Sequence, residues 1–111
     1  VWQRLPPGSQ VHLQGLPTEV RVDNATSDQY TIIDVFTVDR PGLLHVITRT
    51  LFDLELSVAS ARIGTHVDQV VDVFYVTDNA ARKLPDSPRL RQIRSTLQEA
   101  ITRFQSGSAD G

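Results

Sequence analysis

Residues 37–58, TVDRPGLLHVITRTLFDLELSV, carry the chain from a β-branched stretch through Asp39-Arg40-Pro41-Gly42 into an apolar-periodic run. Proline has φ fixed near the helical value and no N–H to leave unpaired, and glycine adds no side chain. The pair therefore predicts a strand that hands over directly to a helix whose first backbone amides are bare. That helix is expected from Pro41 to Leu54 or Glu55. Leu43, Leu44, Ile47, Leu51 and Leu54 fall on one face, and His45, Arg49 and Asp53 fall opposite at i, i+4 and i+8. An amphipathic helix of this kind needs a sheet to lie on.

The flanks supply one. Upstream, TEVRVD alternates Val20 and Val22 with Glu19, Arg21 and Asp23, and YTIIDVFTV follows after the polar loop NATSDQ. Period-2 alternation separated by so short a turn predicts an antiparallel hairpin. Downstream, SVASARIGT, a short HVDQ turn and the valine-rich VVDVFYVTD form a second hairpin. Ser87-Pro88 then provides an N-cap and a first-turn proline for a second helix, along which Leu90, Ile93, Leu97, Ala100, Ile101 and Phe104 make one apolar stripe. The order is ββαββα.

Two helices with single apolar faces and strands linked through them predict an α+β two-layer sandwich. The central strand-helix-strand-strand-helix run is that of a ferredoxin-like fold, which ordinarily ends in a strand at the sheet edge beside the first. That last strand is missing here. The segment 18–24 is expected to take its place, giving a four-stranded antiparallel sheet with both helices on one face. Residues 1–17, with Pro6, Pro7, Gly8, Gly15 and Pro17, read as a linker or extended arm, 18–105 as the domain, and 106–111 as a flexible tail.

Composition narrows the function classes. The chain has 111 residues, 40% hydrophobic and 22% charged, with a net charge of −2. Its pI near 5.8 offers no electrostatic case for nucleic acid or an anionic membrane as partner. No run approaches the ~18 apolar residues of a spanning helix. Cysteine is absent, which fits a reducing compartment, and the expected location is the cytoplasm. Methionine is absent too, and the start at Val1-Trp2-Gln3 gives the expectation of a segment from a longer protein.

Catalysis has little to stand on. His12, His45 and His66 fall on an arm, a helix exterior and a turn, without metal-ligand spacing, so neither metal nor cofactor is expected. No phosphate loop or nucleophile elbow occurs. Asn24-Ala25-Thr26 matches a glycosylation acceptor but reads as a turn. Phe74-Tyr75 could stack on RNA only within a basic, glycine-containing strand, which VVDVFYVTD is not.

Two features remain. Ile33, Val35 and Thr37 should face the helices while Ile32, Asp34, Phe36 and Val38 point away, which leaves an apolar open face to be met by the arm, another domain or a second copy. The strand-to-helix corner also offers free amides, which bind carboxylates, beside Asp39, which could receive an ammonium group or instead cap its own helix.

The stretch from Tyr30 to Asp78, with its hydrophobic strand, Asp-Arg-Pro-Gly-Leu-Leu and amphipathic helix, resembles an ACT domain, and on TEVRVDNATSDQYTIIDVFTVDRPGLL, LSVASARIGTHVDQVVDVFYVTD and RLRQIRSTL residues 18 to 104 resemble more closely the C-terminal ACT domains of bifunctional uridylyltransferase/uridylyl-removing enzymes. The resemblance implies a regulatory module that senses an amino acid, glutamine in that family, with catalysis carried by upstream domains acting on the nitrogen regulatory protein P-II. By position, Asp39, Arg40, Pro41, Gly42 and Leu43 would line the amino-acid site, often completed by an adjacent ACT domain or a second copy. Two other readings stay open at this point: a packing module that does not sense, and a sensor of another amino acid in a different protein.

Overall fold

The computed structural model describes residues 18–67 and 69–107. The expected arm over 1–17 and the end of the tail lie outside them. Strand β1 (Glu19–Asp23) pairs antiparallel with β2 (Thr31–Val38), placing Val20 opposite Val35 and Val22 opposite Ile33. Asp23 and Ser27 build the turn between them. Asp23 Oδ1 accepts the Ala25 N–H at 2.8 Å, and Ser27 Oγ accepts the Tyr30 N–H at 3.0 Å. Both are local side-chain bonds that favour reversal over continued strand. Asn24 is tied into the fold, donating from Nδ2 to Leu84 O and to Asp86 Oδ1, each at 2.9 Å. Its amide has structural work, as the turn reading of this acceptor-like triplet requires.

Strand β5 (Gln69–Asp78) lies on the far side of β2, and β3 (Leu56–Arg62) lies beyond it. The sheet order is β1-β2-β5-β3, every neighbour antiparallel. The N-terminal strand therefore occupies the edge beside β2, as expected from the missing last strand. Leading into the expected HVDQ turn, a two-residue strand, β4 (Thr65–His66), pairs with the start of β5.

Directly paired residues share a face, so the buried set can be read from the register. Thr31, Ile33, Val35 and Thr37 of β2 and Val70, Asp72, Phe74 and Val76 of β5 are all buried. Against them lie Leu43, Ile47 and Leu51 of helix α1 (Leu43–Asp53) and Ile93, Leu97 and Ile101 of helix α2 (Pro88–Gln105). Helix α2 packs across β1, α1 packs against β3, and the helices pack on each other. This is the expected two-layer sandwich. Phe74 turns inward and Tyr75 outward, as alternation demands.

Three expectations need correction. Helix α1 begins at Leu43, two residues later than Pro41, because Pro41 and Gly42 form a turn. Leu44 does not join the core stripe and is 45% exposed, one position around the helix from buried Leu43. The open face is also less bare than the strand pattern suggests. Ile32 is only 8% exposed, the Arg21 guanidinium lies 5.2 Å from the Phe36 ring centre, and Tyr30 meets Tyr75 edge to face at 6.1 Å. An arginine stem and a neighbouring ring shield apolar surface without a second layer.

Candidate functional site

The corner between β2 and α1 is built by a reverse turn. The Leu43 N–H donates to Arg40 O at 3.0 Å across Pro41 and Gly42, and Gly42 sits at φ 89°, ψ −4°. Proline at the second position and a left-handed glycine at the third make this a type II turn. That is why the helix waits until Leu43. It is also why the third residue must be glycine: another side chain would be held at a left-handed φ, with its Cβ 3.4 Å from Phe104 Cζ.

Gly42 then stands as the N-cap of α1 without any side chain to cap the helix. Asp39 does not fill that role. Its carboxylate is exposed before the turn, so the capping alternative for Asp39 is not what the fold adopts. Val46 N–H reaches Gly42 O at 3.1 Å, while the N–H groups of Leu44 and His45 find no acceptor among the described residues. Two bare amides thus point out of the helix start, where its dipole favours negative charge.

Leu44 borders a cavity of about 220 Å³ walled also by the turn and by Ile63, Thr65, Val70 and Asp72. At the ~30 Å³ that a water takes in the liquid, this has the scale of a small metabolite. All five positions expected from the sequence, Asp39, Arg40, Pro41, Gly42 and Leu43, lie on its wall. They contribute differently. The Arg40 guanidinium is turned to the end of α2, where Nη1 donates to Phe104 O at 2.6 Å and Gln105 O at 3.1 Å while the group sits 5.0 Å from the Phe104 ring centre. It caps the negative end of the second helix. Gln105 reinforces the junction by donating to Val38 O and to Thr37 Oγ1.

Sequence reasoning does not single out Asp72, yet it is 2% exposed on the helix-facing side of β5 and walls the cavity. The Gly64 N–H donates to its Oδ1 at 3.1 Å. Burial pushes its carboxyl above the ordinary range, the Gly64 bond pulls it back, and the field of Asp39 adds to the rise. The signal was present in the alternation of VVDVFYV, which puts an aspartate on the same face as Val70, Phe74 and Val76. A larger hollow of about 440 Å³ follows the outer side of α2, but its walls are side chains of that one helix, among them Arg94, Gln98 and Glu99.

A sheet of this order with two helices on one face defines a ferredoxin-like α+β domain, here with a small corner cavity. The chain belongs to the ACT-like domain family: the family described as ACR9-like, ACT-like domain matches residues 19–104. It is similar to the bifunctional uridylyltransferase/uridylyl-removing enzyme of Rhodospirillum rubrum, 42% identical over 99 residues that cover 89% of this chain and 10% of that protein. The enzyme of the same name from Cereibacter sphaeroides is 48% identical over 85 residues, 77% of this chain and 9% of the other. The chain thus spans about a tenth of the length of these relatives. No solved structure matches.

Proposed function

We propose that this domain binds an α-amino acid, glutamine first among candidates, in the β2–α1 corner and thereby regulates attached catalytic domains that add uridylyl groups to a nitrogen-regulatory protein and remove them. The observation that carries this reading is the uncapped start of α1 opening into a cavity that also holds carboxylates. An α-amino acid carries a carboxylate for the amides and an ammonium for Asp39 or Asp72. The diversion of Arg40 to α2 supports it, since the corner is not closed by that side chain. In this reading the segment itself performs neither reaction. Its share is linkage: the amino acid binds one arrangement of the attached domains more tightly than the other and shifts the balance between them.

An adjacent ACT domain or a second copy fits the same geometry. The cavity walls include Leu44 and Ile63, which are 45% and 52% exposed, and Val58 on β3 and Phe52 towards the other end of α1 are exposed as well. Beyond Leu56, every residue of edge strand β3 is exposed. This edge also favours a second reading, a module that packs against a neighbour without sensing.

Thermal unfolding of the 111-residue chain against a panel of amino acids separates the two. A ligand at a hundred times its Kd adds about 2.7 kcal/mol. A glutamine-selective rise in Tm is expected from the sensing reading. No rise with any amino acid, together with concentration-dependent self-association in sedimentation, overturns it in favour of packing.

A further inference from the structure

Asp72 is a buried carboxylate with one oxygen unaccounted for. Oδ1 receives the Gly64 N–H, and Oδ2 has no partner among the described residues. An ionised group 2% exposed with half its acceptor capacity open is costly in a finished core, where buried charges are paired or neutralised. Here the open oxygen belongs to a residue on the wall of the corner cavity.

The surroundings say what would complete it. Asp39 lies on the same wall, and Arg40, the basic side chain of that wall among the described residues, donates to Phe104 O and Gln105 O. The wall therefore carries two carboxylates against one guanidinium, and that guanidinium is bonded to backbone carbonyls of α2 rather than to either carboxylate. A divalent metal is a poor match, because no group of three or more metal-ligating side chains occurs among the described residues. A primary ammonium suits the site better. It needs hydrogen-bond acceptors, a carboxylate and a polar wall such as Thr65, rather than a full coordination shell.

We propose that Asp72 is the ammonium anchor of the corner cavity, so that the cavity selects ligands by a primary ammonium group and rejects carboxylates of the same carbon skeleton that lack it. The proposal deepens the amino-acid reading above and rests on it for the identity of the rest of the ligand. The anchor end is separable, because Asp72 can be probed by an ammonium alone. Asp39, exposed at the mouth, steers the cation and Asp72 holds it. Discrimination arises because a ligand without the ammonium leaves the buried carboxylate unpaired.

The test is amide NMR of the ¹⁵N-labelled 111-residue chain, following Gly64, whose N–H is bonded to Asp72, and Asp72 itself. The probes are L-glutamine, glutaramate (glutamine without its α-ammonium), ethylammonium and tetramethylammonium. Glutamine and ethylammonium are expected to move both resonances, and glutaramate and tetramethylammonium to leave them in place. Asp72→Asn, which keeps an oxygen for Gly64, is expected to weaken both effective probes at least 30-fold, while Asp39→Asn weakens them several-fold. If glutamine fails but ethylammonium binds and needs Asp72, the anchor stands and the glutamine reading falls. Glutamine binding equally to wild type and Asp72→Asn overturns the anchor and leaves the sensor reading intact. Silence of both resonances to both probes overturns both.

Discussion

The two helices of this domain each start beside a proline, and the two starts are finished in opposite ways. At α2, Ser87 is extended at φ −159° and its Oγ accepts the Arg89 N–H at 3.3 Å, with Pro88 just inside the helix. At α1, Pro41 and Gly42 are consumed by a type II turn, the cap position carries no side chain, and the amides of Leu44 and His45 find no acceptor among the described residues, Leu44 lying on the wall of a cavity. A capped start is complete in itself, whereas a bare one beside a cavity can accept something from outside. The ends of the helices differ in the same sense, since the carbonyls at the close of α2 are held by Arg40 from the corner itself. The open start and the closed end are thus fastened together.

Breaking the open start should cost the most. Gly42→Val places a β-branched residue at φ 89° with its Cβ against Phe104, and left-handed backbone alone costs about 1–2 kcal/mol. A fall in stability of about 2 kcal/mol or more is expected by chemical denaturation. The variant would damage the turn as well as the cavity, so its lost ligand response would not by itself locate the site.

Breaking the closed start should cost about half as much. Ser87→Ala removes the α2 cap, a loss of about 1 kcal/mol, or roughly 4–8 °C in Tm for a domain of 60–100 residues. The amino-acid response should be unchanged. A changed response with normal stability would mean that the start of α2 takes part in sensing.

Asp72→Asn should move stability the other way, by about 1 kcal/mol or less at pH 7, because burial of an ionised carboxylate is relieved while an oxygen remains for Gly64. Since the folded-state pKa is raised, Asp72 contributes stability that is fully present below the unfolded value of 3.8 and is lost as pH rises through the folded value. The advantage of the variant should therefore vanish near and below pH 4. Asp34 is shifted upward by burial as well, and Asp23 and Asp78 are shifted downward by hydrogen bonds, but all three are common to both proteins. The difference between variant and wild type, measured by thermal unfolding from pH 3 to 7, isolates Asp72. A difference that does not change with pH would count against a buried, ionisable Asp72.

Asp39→Ala should change stability least, within about 0.5 kcal/mol, because Asp39 is exposed and caps nothing. A loss comparable to that of Ser87→Ala would show that α1 is capped in solution and would remove the contrast between the two starts.

How much of this was legible in the chain depended on whether a signal was local. Alternation in TEVRVD and TIIDVFTV, the apolar stripe from Leu90 to Phe104 and the Ser87-Pro88 start are patterns of residues near in sequence, and each element follows from them. The substitute edge strand could also be inferred, because Val20 and Val22 need a buried face and a short polar turn brings them beside β2. The site was only half visible. The DRPGL run marked the corner, but Arg40 turns to carbonyls 64 and 65 residues away, and no local rule foretells that partner.

The sequence by itself determined the element order, the two apolar helix faces and the inward side of each strand, because periodicities of 2 and 3.6 are fixed by backbone geometry. Tertiary structure alone decided that Gly42 would be backed by Phe104, that the Arg40 guanidinium would be drawn to the end of α2 while the residue stays on the cavity wall, and that Asp72 would join that wall. Each of these depends on groups distant in the chain arriving at one place: Phe104 behind Gly42, the end of α2 beside Arg40, and Gly64 beside Asp72.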